Sequence, residues 1–501
     1  MKDNMSSYDL VIPLLIDGKE DYGSGTFDVV SAKTGKPCWK AAAASTDDAI
    51  RAVRAAENAF PSWSSTKPAE KQKILFKAAE LLESRISQYG EIMQMEMGGD
   101  KRPVQGWVLP NSVSYLRDIA SHIPVMTGSV PTSGDEGTSA MVWKEPFGVI
   151  LGISPWNAPY ALGMRAAATA IATGNTTVLK GSELSPRCYW TLGQVFQEAG
   201  LPSGVLNIIY SRSCDSADVV NAMIQHPAVR KVNFTGSTDV GRKVARICGE
   251  FLKPCLMELG GKNSAIVLAD ADLQKAAHEC IMGAALHSGQ ICMSTDRIIV
   301  HADIAEEFLQ ILKSTLLTLV SLASDPPYLV TAASKFRLQE LVSAALADGA
   351  SCLVGGTEQL QKTENDQSAP VVFLPMIIGD VQENMNLWRH EEAFGPVAAY
   401  AIAQNDDEAV RMANDTEFGL SAAVFTQDLR KGFAIAKQLQ SGSLSRTKIW
   451  SNFRAVHINS MSVRDEPSLP MGGVKSSGWG RFNTISGMNE FLVQKSVTWD
   501  D

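Results

Sequence analysis

Short apolar runs alternate with longer stretches of helical periodicity over much of the chain. From about residue 148, "FGVILGIS" reads as a buried strand and "YALGMRAAATAIATGN" as a helix closed by Gly174. "TTVLKGS" then reads as a strand, "SPRCYWTLGQVFQEAG" as a helix and "GVLNIIYS" as a strand. The helix "SADVVNAMIQH", the strand "VRKVNFTG" and the helix "STDVGRKVARICGE" complete this block. Apolar runs too short for helices, set between helices of ordinary length, predict βαβ units and a parallel sheet. Residues 45–100 read as mostly helical, as in "DDAIRAVRAAENAFPSW". A second alternating block runs from Lys253 to about Gln438, with "CLMELGG", "SAIVLAD", "DRIIVHAD", "FLPMIIGDV" and "SAAVFTQD" as its strands. Two such blocks predict two α/β domains. "MTGSVPTSGDEGTSAMVWKE" predicts a hairpin with a Ser/Gly-rich turn, and "EFLVQKSVTW" a last strand with no helix after it.

Composition narrows the class. A chain of 501 residues exceeds one ordinary core, and the length suggests about two to four domains. Hydrophobic content of 45% with 20% charged residues is that of a globular protein in water. The net charge of −9 argues against a nucleic-acid partner or an anionic membrane surface. The eight cysteines show no CxxC and no regular spacing, so neither a disulfide framework nor a metal site is expected. A reducing, cytoplasmic location is the simplest expectation. The run "VIPLLI" is too short for a signal segment, and the apolar stretch 148–174 contains "SPWNAP", which does not suit a membrane span.

Candidate chemistry begins at "HSGQICMST", residues 287–295. Cys292 lies just past the end of the helix-like run "KAAHECIMGAALHSG", in a turn, where a thiol can be reached; burial as an inert thiol is the alternative. "PWNAP" follows a strand, and its prolines make a rigid turn that offers the Asn157 amide at the carboxyl end of a parallel sheet. That amide suits a developing oxyanion, or merely closes its own turn. "VLKGSE" places Lys180 and Glu183 where they could grip ribose hydroxyls, or form an ordinary charged loop. "ELGGKN" puts Glu258 between an apolar strand and two glycines. A desolvated carboxylate there would be a base usable near neutral pH, and a paired structural glutamate is the alternative. No GxGxxG follows the first strand of the block; instead "NFTGSTDVGR" sets Gly236 and Gly241 around a strand-to-helix turn, with Ser237 as a plausible N-cap facing a phosphate.

Taken together and in order, "PWNAP", "VLKGSE", "FTGSTDVGR", "LMELGGKN", "GQICMS", "EEAFGP" and "NDTEFGLSAAVFT" resemble the aldehyde dehydrogenase superfamily over the whole chain. "GVKSSGWGRF" after "HINSMSVRDEPSLPMG" resembles its benzaldehyde, vanillin and salicylaldehyde dehydrogenase branch. The resemblance implies an α/β fold with two doubly wound domains and a small β oligomerisation element. The implied division is residues 1–124 and 148–257 for an NAD-binding Rossmann-like domain, 258–484 for catalysis, and 125–147 with 485–501 for assembly. It implies oxidation of an aldehyde, here an aromatic one, with NAD, or NADP, as cofactor. Cys292 would be the nucleophile, Asn157 and the Cys292 N–H the oxyanion donors, and Glu258 the base that activates water on the thioester. Trp156, Lys180, Ser182, Glu183, Gly236, Ser237, Gly241, Glu392 and Phe394 would line the cofactor. A homodimer or homotetramer would follow from pairing of the hairpin with the terminal strand.

Retention of Glu258 counts against a CoA-acylating semialdehyde dehydrogenase. A cysteine esterase and a catalytically silent structural protein are the readings from other classes. The small Ala158 is expected to admit a planar ring and Arg165 to meet a ring hydroxyl, with Tyr160 close behind the turn. Two departures from the family pattern stand out. "VSLASDPPYLVTAASKFR" shortens a loop, and Ser443 to Arg454 add an excursion before "AVHIN" that lacks the apolar content to order itself.

Overall fold

The computed structural model describes residues 10–323, 325–361, 369–439 and 455–500. The 443–454 excursion lies outside the described residues.

The first alternating block forms an eight-stranded sheet. Its centre is five parallel strands in the order Cys255–Glu258, Val229–Thr235, Val149–Ile153, Thr176–Lys180 and Leu206–Ile209. Every residue of Val149–Ile153 and Thr176–Lys180 is buried, which is why these strands read as apolar runs rather than alternating ones. Gly478–Trp479 adds antiparallel at one edge, and Leu14–Ile16 with Lys19–Asp21 at the other. Helices Pro159–Ala172 and Pro186–Glu198 follow two of the central strands, as predicted.

The second block forms a seven-stranded sheet in the order Ser351–Val354, Met376–Gly379, Val397–Ala403, Thr295–His301, Asn263–Val267, Ser421–Phe425 and Ala455–Ile458. All its pairings are parallel except the first. The two-block α/β reading holds with one correction: "CLMELGG", read as the first strand of the second block, is Cys255–Glu258 and joins the first sheet beside Val229–Thr235.

Three details differ from the sequence reading. Leu273–Ala285 is the α-helix, and the chain continues as a 3₁₀ turn to Gly289 instead of an unbroken helix. The predicted hairpin has one true arm, Thr138–Pro146, because its other side contributes the single bridge Ser129 to Val142. The partner of Thr138–Pro146 is the terminal strand Leu492–Asp500, antiparallel over nine residue pairs. A three-stranded sheet of Val11–Ile12, Pro37–Ala43 and Gly25–Val30 also forms, in a region that carries no clean alternation.

Candidate active site

The carboxyl ends of the parallel strands in the first sheet gather the candidate residues along one edge, where open α/β sheets bind ligands. Val149–Ile153 leads into the Pro155–Pro159 turn, Thr176–Lys180 ends at Lys180, Val229–Thr235 runs into Gly236, and Cys255–Glu258 ends at Glu258. Cys292 arrives from the second block, just before Thr295–His301.

The cysteine turn is pinned from both blocks. One N–H of the buried Asn157 amide donates to the Gln290 carbonyl at 2.9 Å. From the other side, Asn263 Nδ2 donates to the carbonyls of Cys292 and Ser294, both at 2.9 Å, while its Oδ1 accepts from the Ser421 N–H at 3.0 Å. Gln290 itself accepts from the Val330 N–H at 2.9 Å and donates to the Tyr328 carbonyl at 3.1 Å. The turn thus holds the half-buried Cys292 in the wall of a cavity of about 600 Å³, counted to its open mouth. Trp107, Val108, Leu162, Ile291, Met293 and Met471 supply apolar walls to the same cavity. Ala158 lines it as expected.

Glu258 and Asn157 also face this cavity. Glu258 is 1% exposed. Its Oε2 accepts from Arg165 Nη2 at 2.7 Å, whereas Oε1 has no hydrogen-bond partner among the described residues. Both sequence readings meet here: the carboxylate is desolvated, and it is paired with a guanidinium. Arg165 Nη1 donates to Asp465 at 3.0 Å, and the guanidinium lies 4.2 Å from the centre of the Phe482 ring. Burial opposes the charge of Arg165, but Asp465 and Glu258 outweigh it and hold the guanidinium protonated. Burial raises the Cys292 thiol above its ordinary range, the Glu258 and Glu392 carboxylates push the same way, and Arg165 opposes them. The thiol must lose its proton before it attacks, and the carboxylate beside it keeps an oxygen available to act as a base.

The structure moves Tyr160 away from the site. Arg165 lines the cavity, with its Nη1 and Nη2 each engaged by a carboxylate. Tyr160 is fully buried, hydrogen-bonded to Thr191 at 3.1 Å and stacked on Tyr89, outside the cavity lining.

A second cluster lies along the same sheet edge. Lys180 is buried, with its ammonium 4.0 Å from Glu183, and burial lowers its proton affinity. Ser182 Oγ lies 3.4 Å from Glu183 Oε2 and accepts from the Leu184 N–H. Ser237 occupies the N-cap of helix Thr238–Glu250 and makes no side-chain cap bond. At Gly236 and Gly241 a Cβ would come within 2.7 Å of the Phe234 ring and 2.5 Å of the Leu259 side chain, so any larger residue would displace those side chains. Glu392 Oε1 accepts from the Gly261 N–H at 3.3 Å; burial, then repulsion from Asp296, raises this carboxyl to about 8. The rings of Trp156 and Phe394 meet edge to face at 5.6 Å. Phe394 has φ of 45°, a left-handed conformation.

Sequence reasoning missed Asn263, Gln290 and Asp465. Asn263 sat inside a quoted motif without a role, and Asp465 carries no local signal because its partner is 300 residues distant.

Comparison with known proteins agrees with this geometry. Residues 20–497 match the aldehyde dehydrogenase family. A vanillin dehydrogenase of Pseudomonas fluorescens is 40% identical, with 98% of each chain covered. The crystal structure of a salicylaldehyde dehydrogenase from Pseudomonas putida G7, complexed with salicylaldehyde, superposes with a TM-score of 0.90 at 33% identity over 98% of each chain. A betaine aldehyde dehydrogenase from Staphylococcus aureus, in complex with NAD+, superposes with a TM-score of 0.88 at 26% identity, covering 97% of this chain and 94% of the other. A reachable cysteine in an apolar cavity, a carboxylate with a free oxygen beside it, and a match that spans nearly the whole chain place this protein in the aldehyde dehydrogenase family.

Proposed function

We propose that the protein oxidises an aromatic aldehyde to the carboxylic acid with NAD as cofactor. The observation that carries this reading is the Cys292 thiol in the wall of an apolar cavity that Asn157 and Glu258 also line, Glu258 Oε1 having no partner among the described residues. The aromatic preference is supported by the vanillin and salicylaldehyde dehydrogenases among the relatives and by the small Ala158 beside the Trp107 and Leu162 walls.

The residues of the second cluster fit a dinucleotide. Glu183 and Glu392 are acceptors for ribose hydroxyls, the uncapped helix start at Ser237 suits a pyrophosphate, and Trp156 with Phe394 offers an aromatic wall to a nicotinamide. Lys180 and Ser182 would complete the adenosine-ribose grip, with Gly236 and Gly241 allowing the backbone to approach. Bound NAD would supply the hydride acceptor.

The remaining steps belong to this chain's own groups. The Cys292 sulfur adds to the aldehyde carbonyl as the thiolate, its proton having left to solvent through the mouth of the cavity. The second N–H of Asn157, the one not held by Gln290, together with the Cys292 N–H, stabilises the oxyanion. Loss of hydride from that thiohemiacetal leaves an acyl group on Cys292. Glu258 Oε1 then takes a proton from water as the oxygen attacks the thioester, the C–S bond breaks to release the Cys292 thiolate and the acid, and Glu258 returns its proton to the thiolate or to solvent. A thiol is both a good nucleophile and a good leaving group, which this two-stage reaction requires.

Residues 1–124 with 148–257 would bind the cofactor and 258–484 would supply the nucleophile. The pair formed by residues 138–146 and 492–500 would join subunits into a homodimer or homotetramer, a role its exposed Trp143 and Trp499 favour. All eight cysteines are free, which suits a cytoplasmic enzyme.

NADH formation across a panel of aldehydes, with and without CoA, tests the assignment. Acid production without CoA is expected. A strict CoA requirement, or ester cleavage independent of cofactor as the sole activity, refutes it.

A further inference from the structure

Glu96, at the end of helix Ile86–Met97, is wholly buried and takes no part in the chemistry above. Its Oε1 accepts from Trp39 Nε1 at 3.0 Å and from the Arg187 N–H at 2.9 Å, and its Oε2 accepts from the Cys188 N–H at 3.1 Å. Those two amides belong to the first turn of helix Pro186–Glu198, whose N-cap residue, Ser185, makes no side-chain cap bond. Helices ordinarily take that cap from the residue just before them. This helix takes it from a carboxylate 91 and 92 residues away in sequence. Burial raises the Glu96 carboxyl to about 7, with the hydrogen bonds from the helix start and Trp39 acting against burial. The Arg187 guanidinium stacks 4.7 Å from the Trp39 ring centre, closing the cluster.

The helix that Glu96 anchors supports both ligand-facing turns. Tyr189 donates its hydroxyl to the Pro155 carbonyl at 2.6 Å, immediately before Trp156 and Asn157. Its ring also fills the space beside Gly181, where a Cβ would come within 2.5 Å. Lys180, Ser182 and Glu183 stand directly upstream of the helix start.

We infer that Glu96 is a positioning residue for the cofactor grip: by capping helix Pro186–Glu198 from outside, it fixes the Lys180–Glu183 turn against the Trp156 turn. The inference rests on the reading of Lys180, Ser182 and Glu183 as ribose contacts. A carboxylate is specified because all three of its partners are donors. A glutamine must turn its NH₂ toward one of them.

The dissociation constant for NAD, measured by titration calorimetry on cofactor-free protein, reads the effect directly. Glu96→Gln is expected to weaken NAD roughly five- to tenfold, the scale of one lost charge-assisted hydrogen bond transmitted in part. The aldehyde KM is expected to stay unchanged. Ser185→Asp in the Glu96→Gln background places a local acceptor at the N-cap and is expected to recover most of the affinity. Trp39→Phe removes one donor, leaves the helix cap intact and is expected to shift NAD affinity less than twofold. Glu96→Asp, which withdraws the carboxylate by one methylene, stands in where Glu96→Gln does not accumulate.

Lys180→Ala and Glu183→Ala separate the two levels of the reading. If neither weakens NAD, the ribose grip itself fails. If both do, while the folded Glu96 variant binds NAD like the parent protein, the positioning role is overturned. Equal losses in Trp39→Phe and Glu96→Gln, or no recovery with Ser185→Asp, also overturn it, since general loosening of the core would then account for the effect.

Discussion

Replacing Arg165 by methionine keeps most of the side-chain volume and removes the cation that Glu258 and Asp465 share. Both ion pairs are short, at 2.7 and 3.0 Å, and Arg165 and Glu258 are each 1% exposed, so solvent screening is slight. Removing one partner from a buried charge network costs about 3–5 kcal/mol. Divided over two carboxylates, that is about 2 kcal/mol at Glu258, roughly a thirtyfold rate effect where all of it is felt in deacylation. Stopped-flow detection of NADH separates the stages: the first turnover should persist while the steady rate falls. Arg165→Lys, which keeps a charge but loses the fork, should lose less. An unchanged steady rate in Arg165→Met, with the protein folded, refutes the claim that Arg165 holds Glu258 in place as a base. Direct recognition of substrate by Arg165 would instead raise the aldehyde KM.

Cys292→Ala should abolish aldehyde oxidation, and Glu258→Gln should give a burst of NADH near one per active subunit followed by very slow turnover; normal turnover in the latter removes the glutamate from the mechanism. Because Glu183 repels a 2′-phosphate while Lys180 is already beside it, kcat/KM should favour NAD over NADP, and Glu183→Ala should narrow the gap. Ala158→Phe should fill the cavity wall and raise KM for benzaldehydes more than for short aliphatic aldehydes; equal effects on both would exclude an aromatic pocket at this position. Glu392 is raised from the ordinary 4.5 to about 8, so its protonated form favours folding: this contribution is full below 4.5 and is lost as pH climbs to about 8. Glu392→Gln should flatten that part of the melting temperature–pH curve in cofactor-free protein, and an unchanged slope would assign it to other groups.

The strands and turns that carry the site were legible because each motif sits where a fully buried strand gives way to a turn. "TTVLK" and "VILGI" have no polar alternation to confuse, and the glycines and prolines after them mark the loop. The partners of those residues were not legible. Arg165 lies on a helix buried at every position from Pro159 to Ala172, so no face pattern indicates its direction. Its acceptors come from Glu258 and Asp465, which only the folded chain brings together. The same holds for Glu96 and Trp39, 57 residues apart. The strand Pro37–Ala43 escaped because its alanines favour helix and its burial does not alternate. Pairing with Gly25–Val30 and Val11–Ile12 decides its state.

The segment that breaks local rules most plainly is the one that aims the nucleophile. His287, Ser288 and Gly289 have φ of 52°, 56° and 69°, three successive left-handed residues of which only one is glycine. Non-glycine residues held there cost of order 1–3 kcal/mol each and persist only where surrounding contacts over-determine them. Those contacts are present. A Cβ at Gly289 would come within 2.1 Å of the Gly395 carbonyl, so glycine is required at the one position with no room. Gln290 and Ser294 close the turn through the His287, Ile291 and Gly289 carbonyls. His287 is buried, and burial lowers it to about 4, so the ring stays neutral and adds no charge beside the thiol. The strain is offset by bonds from Asn157, in the turn after a strand of the first sheet, and Asn263, on a strand of the second, so the orientation of Cys292 depends on how the two blocks are held together. Loss of the Asn263 amide should therefore act on Cys292 as a change of aim. In Asn263→Ala, thiol reactivity toward a small alkylating agent should rise as the turn loosens, while kcat for the aldehyde falls. A fall in both would indicate that the thiol had become buried instead.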